Sequence, residues 1–477
     1  MLNLNKSVVT HTFLLPLLLL SCCKQTTQGD LLIQNVNIID VEGGRVISQQ
    51  DVLVARNMIV KIVDRNEWDI RADRTINGEG KYLIPGLWDM HVHTLMSDWY
   101  RWQLPLLRTN GIIGFREMWG DPLLFDSIRH RMRNSDLPYF HFVASGHMLD
   151  GEMPAWEGST AVVTPEDGIR LVDSLAGANV DFIKVYSLLT KEVFKAIATR
   201  CKQRGIPFAG HVPFPVTVKE ASEAGMASME HLYGLRAEAC EYRDSAYSLM
   251  EKVSVVYTSG NNALATLVYT RIYALTTEHF SPDKAKEIAQ TFKQNNTYIV
   301  PTLVALRGVY LRNDSSITND HRLKYMSEST LASWRQSTEH DLKTLSAADW
   351  EGRRKRWIVE RQILKILAEE NVPILAGSDS DNPYAFPGFS IHDEMALFVD
   401  VGMSPLQALQ TATLNAAKYL NVIDSLGTIA EGKLADVVLL DGNPLEEIRN
   451  TTKINSVIVK GVVYDQEYFA RSLSVEE

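Results

Sequence analysis

The first residues that could do chemistry are His91 and His93, which end the apolar run IPGLWDMHVH at residues 84–93. In a β-strand, residues two apart point to the same side, so both imidazoles would project from one face, about 7 Å apart by strand rise. Two imidazoles on one face suit a single metal ion. Because an H-x-H pair also arises by chance, a metal site requires further ligands from elsewhere in the chain.

Three more candidate ligands stand at the ends of other apolar runs. His211 ends PFAGH, His231 ends ASMEH, and Asp379 follows the run PILAGS. Imidazole and carboxylate groups suit zinc, iron, manganese or nickel. The ordinary alternative for each histidine is a core residue satisfied by a backbone carbonyl. Four such histidines at strand ends would make an unusual core, so the pattern favours a metal site.

Lys184 lies inside the apolar run DFIKVY, where a lysine is rarely buried without a partner. Burial and neighbouring positive charge both lower a lysine pKa. A neutral amine can react with carbon dioxide to give a carbamate, an anion with two oxygens. Such a group could bridge two metal ions about 3.5 to 4 Å apart, the usual spacing in binuclear hydrolytic sites.

The order of predicted elements explains how these residues could meet. Between residues 84 and 424, short apolar strands alternate with helical stretches, which predicts βα units around a parallel sheet. The eight predicted strands are GLWDMHVH (86–93), GIIGFREM (111–118), YFHFVASG (139–146), DFIKVYS (181–187), PFAGHVP (207–213), ASMEHLYG (227–234), TYIVPTLV (297–304) and PILAGSDS (373–380). Eight units predict an α/β fold, a (β/α)8 TIM barrel, whose chemistry sits at the C-terminal ends of the strands.

The two ends of the chain share a residue pattern that differs from the pattern of residues 84–424. Residues 31–83 and 425–477 contain short β-branched runs separated by turn residues, which predicts a small composite β-sandwich built from both chain ends. The barrel at 84–424 would then be inserted in it. Segments 236–296 and 305–370 are too long for simple crossovers and are helix-prone, so we expect helical insertions that cover the barrel mouth and shape the substrate pocket.

Composition places the chain among ordinary globular proteins. It has 477 residues, of which 45% are hydrophobic and 22% charged, and its formal net charge is -10. Nucleic acid is excluded as a partner because there is no basic cluster. The sequence leaves the oligomeric state open, and a homo-oligomer is one of the states it allows. It also leaves the pairing of Cys201 and Cys240 open, with unpaired buried thiols favoured.

The N-terminus predicts export. Residues 1–23 have one lysine, an apolar stretch too short to span a bilayer, and two cysteines. The sequence LLSC, ending at Cys22, resembles the lipobox of bacterial lipoproteins, which implies a lipid anchor on Cys22 and attachment to a membrane of the bacterial cell envelope. The alternative is an ordinary cleaved signal peptide. Residues 24–30 read as a polar tether.

Residues 31–466 as a whole resemble the amidohydrolase superfamily of metal-dependent (β/α)8 hydrolases. The match to Lys184 points to its binuclear branch, which includes prolidase-like dipeptidases and relatives of imidazolonepropionase. The motifs that carry the resemblance are IPGLWDMHVH, FIKVY, AGHVP, MEHLYG, AGSDS, GMSPLQALQTATLNAAKYL and GTIAEGKLADVVLLDGNPL. The sequence departs from common versions of two motifs, with GSDS for GTDS and REM (116–118) for RDM. These departures put contacts behind the ligands in doubt, but no ligand itself.

The resemblance implies a role for each ligand. His91, His93 and Asp379 would hold the more buried metal, and His211 and His231 the more exposed one. Carboxylated Lys184 would bridge the two ions, for which zinc is the commonest choice. A hydroxide shared by the metals would attack the scissile carbonyl, and Asp379 would pass its proton to the leaving nitrogen.

Three positions near the strand ends could contact substrate, namely His147, Tyr186 and Tyr233. The predicted activity is hydrolysis of carbon–nitrogen bonds in small amides, cyclic amides or dipeptides, Xaa-Pro types included. One alternative is a lactonase, esterase or phosphotriesterase on the same binuclear site. Another is a catalytically silent, lipid-anchored binding protein, against which the complete set of six ligand positions argues. The substrate would be a small molecule in each enzymatic case.

Overall fold

A computed structural model describes residues 26–473 except 66, 68 and 261. Its strands are β1 Thr26–Asp40, β2 Arg45–Ala55, β3 Met58–Asp64, β4 Asp69–Asn77, β5 Tyr82–Pro85, β6 Leu87–Val92, β7 Ile112–Glu117, β8 His141–Ala144, β9 Leu149–Asp150, β10 Thr160–Ala161, β11 Ile183–Val185, β12 Phe208–Gly210, β13 Ser228–Glu230, β14 Tyr298–Val300, β15 Val437–Leu440, β16 Ile454–Val459 and β17 Val462–Tyr464.

Its α-helices are α1 Tyr100–Thr109, α2 Pro122–Arg133, α3 Pro165–Gly177, α4 Lys191–Arg204, α5 Val218–Glu223, α6 Tyr233–Glu238, α7 Arg243–Thr258, α8 Asn262–Glu278, α9 Pro282–Asn295, α10 Leu303–Tyr310, α11 Ser315–Thr318, α12 Glu328–Thr344, α13 Ala347–Glu369, α14 Ser390–Asp400, α15 Pro405–Thr411, α16 Leu414–Tyr419 and α17 Gln466–Leu473. Two 3₁₀ helices lie at His321–Tyr325 and Ile448–Thr452.

The central part of the chain has a TIM-barrel-type α/β fold with parallel strands. Seven of the eight predicted strands form, as β6, β7, β8, β11, β12, β13 and β14. They lie in two parallel sheets, one with the order β6-β7-β8 and the other with the order β10-β9-β11-β12-β13-β14. Their apolar, β-branched residues are buried, as expected when helices cover a parallel sheet.

The eighth predicted strand, residues 373–380, lies between β14 and β6 but forms only isolated bridges to them. The N–H of Leu375 donates to the carbonyl of Ile299, and the N–H of Met90 donates to the carbonyl of Ala376. A Cβ at Gly377 would lie 2.6 Å from Val300 and 2.8 Å from Cβ of His91. Glycine is therefore required where this segment passes the ligand-bearing strand. A fully closed eight-stranded ladder stays a prediction.

Strands from both ends of the chain pair in one sheet. The sheet has the order β17-β16-β15-β5-β1-β2-β3, with β4 also pairing with β1. Its own apolar cluster draws on both ends of the chain, for example Ile33, Val52, Leu83, Val437 and Ile458. The arrangement of this sheet as a separate sandwich domain stays a prediction.

The polar tether predicted at 24–30 needs correction. Strand β1 already begins at Thr26, and its first residues pair in parallel with β4, from Thr26 opposite Asp69 onward. The partner strand supplies hydrogen bonds that a free tether would take from water, and the composition of the segment gave no sign of this partner.

The predicted signal peptide and the lipid anchor at Cys22 lie outside the described residues. Within residues 26–473, no helix is both long and apolar enough to cross a bilayer. Cys201 and Cys240 are both buried free thiols.

Candidate metal centre

Asp379 lies at the centre of a buried group of histidines. Its Oδ1 is 3.3 Å from Nε2 of His91 and 3.3 Å from Nε2 of His93, and its Oδ2 is 3.8 Å from Nδ1 of His231. His91, His231 and Asp379 offer ligand atoms that all lie within 4.8 Å of one another. The fold thus brings together residues from the ends of β6 and β13 and from the end of the eighth segment.

The backbone around these ligands is held in an unusual conformation. His231, Asp379 and Thr302 have φ values of 62°, 51° and 48°, in the left-handed region that non-glycine residues rarely adopt. Hydrogen bonds hold two of them in place, because the N–H of Asp379 donates to the carbonyl of His91 and the N–H of His231 donates to the carbonyl of Val300. Such strain is concentrated at functional sites, where the surrounding structure compensates for it.

Glu230 orients the His91 ring. Its Oε2 is 2.7 Å from Nδ1 of His91, while its Oε1 accepts hydrogen bonds from Arg116 and from the hydroxyl of Ser228. Burial raises the pKa of Glu230, but the Arg116 guanidinium and His91 outweigh it and bring that pKa to about 2. An ionised Glu230 fixes the proton of His91 on Nδ1. Burial lowers the pKa of His91, but Asp379 and Glu230 outweigh it and raise that pKa, and Nε2 of His91 faces the Asp379 carboxylate.

His231 also adjoins His91, with ring centres 5.0 Å apart, and connects it to His211. Nδ1 of His231 is 2.6 Å from the hydroxyl of Thr302, and Nδ1 of His211 is 2.9 Å from the hydroxyl of Ser187. The centres of the two imidazole rings are 4.8 Å apart. His211 therefore adjoins the group around Asp379 through His231, rather than lying within the close set of His91, His231 and Asp379.

Glu117 faces His93 from the end of β7. Its Oε1 is 3.9 Å from Nδ1 of His93, and its Oε2 accepts a hydrogen bond from the N–H of Leu95. Burial raises the pKa of this carboxyl to about 8, although backbone donors and Lys184 lower it in part. A protonated Glu117 could donate a hydrogen bond, whereas an ionised one could accept one from His93.

Lys184 is buried among these carboxylates. Its side chain is 2% exposed, and its ammonium group is 5.7 Å from the centre of the Tyr186 ring. Burial lowers the pKa of Lys184 to about 8, even though Asp379, Glu230 and Glu117 act to raise it. A substantial fraction of the amine is therefore neutral near pH 8, the form in which an amine is nucleophilic.

The protonation states of three histidines and of Asp379 suit metal binding, whereas the pKa of His91 is raised by Asp379 and Glu230. Burial lowers the pKa of His93 to about 4 and that of His231 to about 3, and it lowers the pKa of His211 well below its usual value. The pKa of Asp379 is also held well below its usual value because neighbouring histidines outweigh the effect of burial. Neutral imidazoles and an ionised carboxylate are the forms that bind metals.

A cavity of about 290 Å³ opens onto this group. It is rich in aromatic and sulfur-containing side chains, and its lining includes Lys184, Tyr186, His211, Tyr233, Asp379 and the tryptophans Trp99, Trp119 and Trp156. Tyr186 stacks on His211 with ring centres 4.0 Å apart, and its hydroxyl accepts a hydrogen bond from Trp156. Met148 lines the cavity, whereas its neighbour His147 is not among the lining residues, so substrate contact by His147 stays a prediction.

The carboxylates behind the ligands are not among the residues predicted from the sequence. Glu230 lies in the apolar run SMEH, and the reasoning that singled out a lysine in an apolar strand applies equally to a glutamate there. Glu117 lies in REM, one of the two motif departures, and faces His93. At the other departure, the hydroxyl of Ser378 donates to Asp89, which also accepts the N–H of His91. Both departures thus lie directly behind ligands.

Comparison with known proteins gives one family and one fold. The model of the Amidohydrolase family matches residues 188–464. Adenine deaminase from Desulforamulus reducens is 20% identical over 436 residues, which are 87% of this chain and 54% of that protein. The chain therefore spans about half the length of that relative.

Solved structures with the same fold cover nearly the whole chain. A Xaa-Pro dipeptidase with bound methionine superposes with a TM-score of 0.63 at 20% identity, covering 91% of this chain and 99% of that one. Bottromycin amidohydrolase superposes with a TM-score of 0.71 at 23% identity, covering 93% of this chain and 89% of that one.

Proposed function

The chain belongs to the amidohydrolase family, and from this premise we propose that it is a metal-dependent hydrolase of carbon–nitrogen bonds. The observation that carries the proposal is the buried Asp379 carboxylate, 3.3 Å from Nε2 of both His91 and His93. The substrate class would be a small amide, a cyclic amide or a dipeptide. The dipeptidase and amidohydrolase structures that share the fold support this class.

The residues present fit a divalent metal. Nε2 of His91 and Nδ1 of His93 are buried and make no directed hydrogen bond with any described residue. Buried ring nitrogens are almost always satisfied, and a divalent cation between the imidazoles and the Asp379 carboxylate would satisfy these atoms as a proton on His91 otherwise does. We assign His91, His93 and Asp379 to one ion and His211 and His231 to a second. Lys184, in its carboxylated form, would be a ligand of both ions.

Divalent cations bound there would polarise a substrate carbonyl and lower the pKa of a water molecule toward ~7. The chain itself must then move a proton. Asp379 would accept the proton of the attacking water and deliver it to the leaving nitrogen. Glu230 and Thr302 hold the rings of His91 and His231 in fixed orientations during this transfer. Trp119 and Trp156 line the cavity beside Asp379, where the reacting carbonyl would lie.

The test is hydrolysis by the purified full chain after loading with zinc, manganese or cobalt. Dipeptides, N-acyl amino acids and cyclic amides are compared with lactones, esters and phosphotriesters by mass spectrometry of the products. We expect a kcat/KM for at least one carbon–nitrogen substrate that exceeds every value for the oxygen esters. If only lactones or only phosphotriesters are turned over, the protein is a lactonase or a phosphotriesterase and the proposed activity is wrong. An absence of turnover with full metal content would favour a binding protein.

A further inference from the structure

A second cavity, which we call the tyrosine chamber, adjoins the candidate metal centre. Tyr186, His211 and Tyr233 line both cavities, so the chamber opens directly beside the ligands. Its far wall comes from α7 and α8, in the insertion that precedes β14, and consists of Met250, Tyr257, Tyr269, Ile272 and Tyr273. A chamber walled by aromatic rings suits a flat or bulky apolar group.

One cationic side chain in this chamber has donors without a hydrogen-bond partner. Arg236 lines the chamber and is 3% exposed, yet its Nη1 and Nε make no directed hydrogen bond with any residue the structure describes. Nε lies 3.0 Å from Oε1 of Glu360, and the guanidinium lies 4.9 Å from the centre of the Tyr273 ring. A buried N–H without an acceptor is costly, so a group that supplies an acceptor would bind favourably.

The charged groups around Arg236 include a carboxylate and a second guanidinium. Glu360 is one carboxylate shared between Arg236 and the hydroxyl of Tyr310. A second guanidinium, that of Arg356, lies 4.2 Å from the centre of the Tyr273 ring, and its Nε is also without a hydrogen-bond partner among the described residues. Two guanidiniums therefore lie against the Tyr273 ring, and Glu360 is the carboxylate that pairs with Arg236.

Other carboxylates near the chamber are already engaged. Glu230 also lines it but is bound to Arg116 and His91. Glu238, on the same helix as Arg236, pairs with Arg243 and accepts the hydroxyl of Tyr247. The unpaired donors at the chamber are therefore those of Arg236, and an anionic ligand group would accept hydrogen bonds from them.

We propose that the tyrosine chamber is a substrate subsite for an apolar, ring-bearing group that carries a carboxylate, with Arg236 as the anchor of that carboxylate. The inference rests on the proposed function and specifies its substrate class. A guanidinium offers a planar pair of donors that matches a carboxylate. A neutral analogue of the same shape would leave Nη1 unpaired, which is the condition under which a site rejects a ligand strongly.

The test measures binding rather than turnover, so it is separate from the test of the activity. Titration calorimetry on the full chain compares 3-phenylpropionate with its neutral amide, 3-phenylpropionamide. We expect the acid to bind about tenfold or more tightly than the amide to the wild type. In Arg236→Gln the affinity for the acid should fall to that of the amide, while the affinity for the amide stays unchanged. Arg236→Lys should retain part of the preference.

Two further variants keep the test decisive. Arg243→Gln removes a guanidinium that pairs with Glu238 outside the chamber lining, and it should bind both probes as the wild type does. If Arg236→Gln alone fails to fold, Arg236→Gln combined with Glu360→Gln leaves no unpaired carboxylate and takes its place.

Equal affinity of the wild type for acid and amide, or a preference for the acid that survives in Arg236→Gln, would overturn the subsite. A chain that prefers the acid but hydrolyses no carbon–nitrogen bond would overturn the activity and leave the subsite standing. A chain that hydrolyses neutral amides and shows no preference for the acid would overturn the subsite and leave the activity standing.

Discussion

Nε2 of His91 and Oδ1 of Asp379 lie 3.3 Å apart, although one residue ends the first strand of the parallel sheets and the other follows the last extended segment. The contact depends on Gly377, because only a residue without a Cβ allows the backbone of that segment to pass so close to His91. Both side chains are buried, so a carboxylate and an imidazole nitrogen share a space from which water is largely excluded. This relationship makes Asp379 the first residue to test.

Asp379→Asn should keep the shape of the site but remove the proton acceptor. We expect kcat to fall by about 10² or more, with most of the bound metal retained. The measurement is kcat on the best substrate, together with metal content by elemental analysis. Asp126→Asn, on an exposed face of α2, is the matched control and should behave as the wild type. A metal-loaded Asp379→Asn protein with wild-type turnover would remove Asp379 from the proton path.

Lys184→Ala should lose metal and activity together. The amine is buried among Asp379, Glu230 and Glu117, and burial lowers its pKa to about 8, which favours reaction with carbon dioxide. Adding a short carboxylic acid with metal should restore part of the activity, because the acid supplies the missing oxygens. Metal content and kcat are measured with and without propionate. Lys195→Ala, an exposed change on α4, is the control, and full metal occupancy of Lys184→Ala without propionate would contradict a bridging role.

Glu230→Gln should weaken metal binding without removing a ligand. Glu230 holds the proton on Nδ1 of His91, and loss of such a partner typically reduces metal affinity by about 10- to 100-fold. The readout is the metal dissociation constant in competition with a chelator. Glu230→Asp, which keeps the charge, should recover part of the affinity. If Glu230→Gln binds metal as tightly as the wild type, Glu230 has no positioning role.

Much of the site follows from one rule applied to the sequence. His91, His93, Lys184, His231 and Asp379 are polar residues in or directly after apolar strands, and parallel strands of a barrel open their C-terminal ends at one face. The resemblance to the amidohydrolase family, drawn from the same motifs, is confirmed.

Other features required knowledge of distant contacts. The pairing of Thr26 with Asp69 and the approach of α8 to Arg236 depend on tertiary packing, which no local pattern encodes. His392 is another example, because it is buried in α14 between the carbonyl of Asn110 and the hydroxyl of Thr451, and Thr451 lies in the C-terminal part of the chain.

His392 also predicts how stability depends on pH. Burial lowers its pKa to about 4, although Asp393 and the carbonyl of Asn110 act to raise it. The unfolded chain, with an ordinary histidine pKa, takes up the proton more readily than the folded one. The contribution of His392 to the free energy of unfolding is therefore fully present above about pH 6.5. It is lost as the pH falls toward 4, and the loss for this one group is about 3 kcal/mol.

Urea unfolding between pH 4.5 and 7 measures this loss as the slope of the unfolding free energy against pH. The slope corresponds to the number of protons that the chain takes up on unfolding. In His392→Asn this number should be smaller by up to about one, because the group that takes up a proton on unfolding is gone. His321→Asn is the control, since that side chain is 83% exposed and meets water in the folded chain as it does in the unfolded one. Equal slopes in the wild type and in His392→Asn would mean that His392 does not titrate on unfolding, and the pH sensitivity of the fold would then have to come from other buried groups.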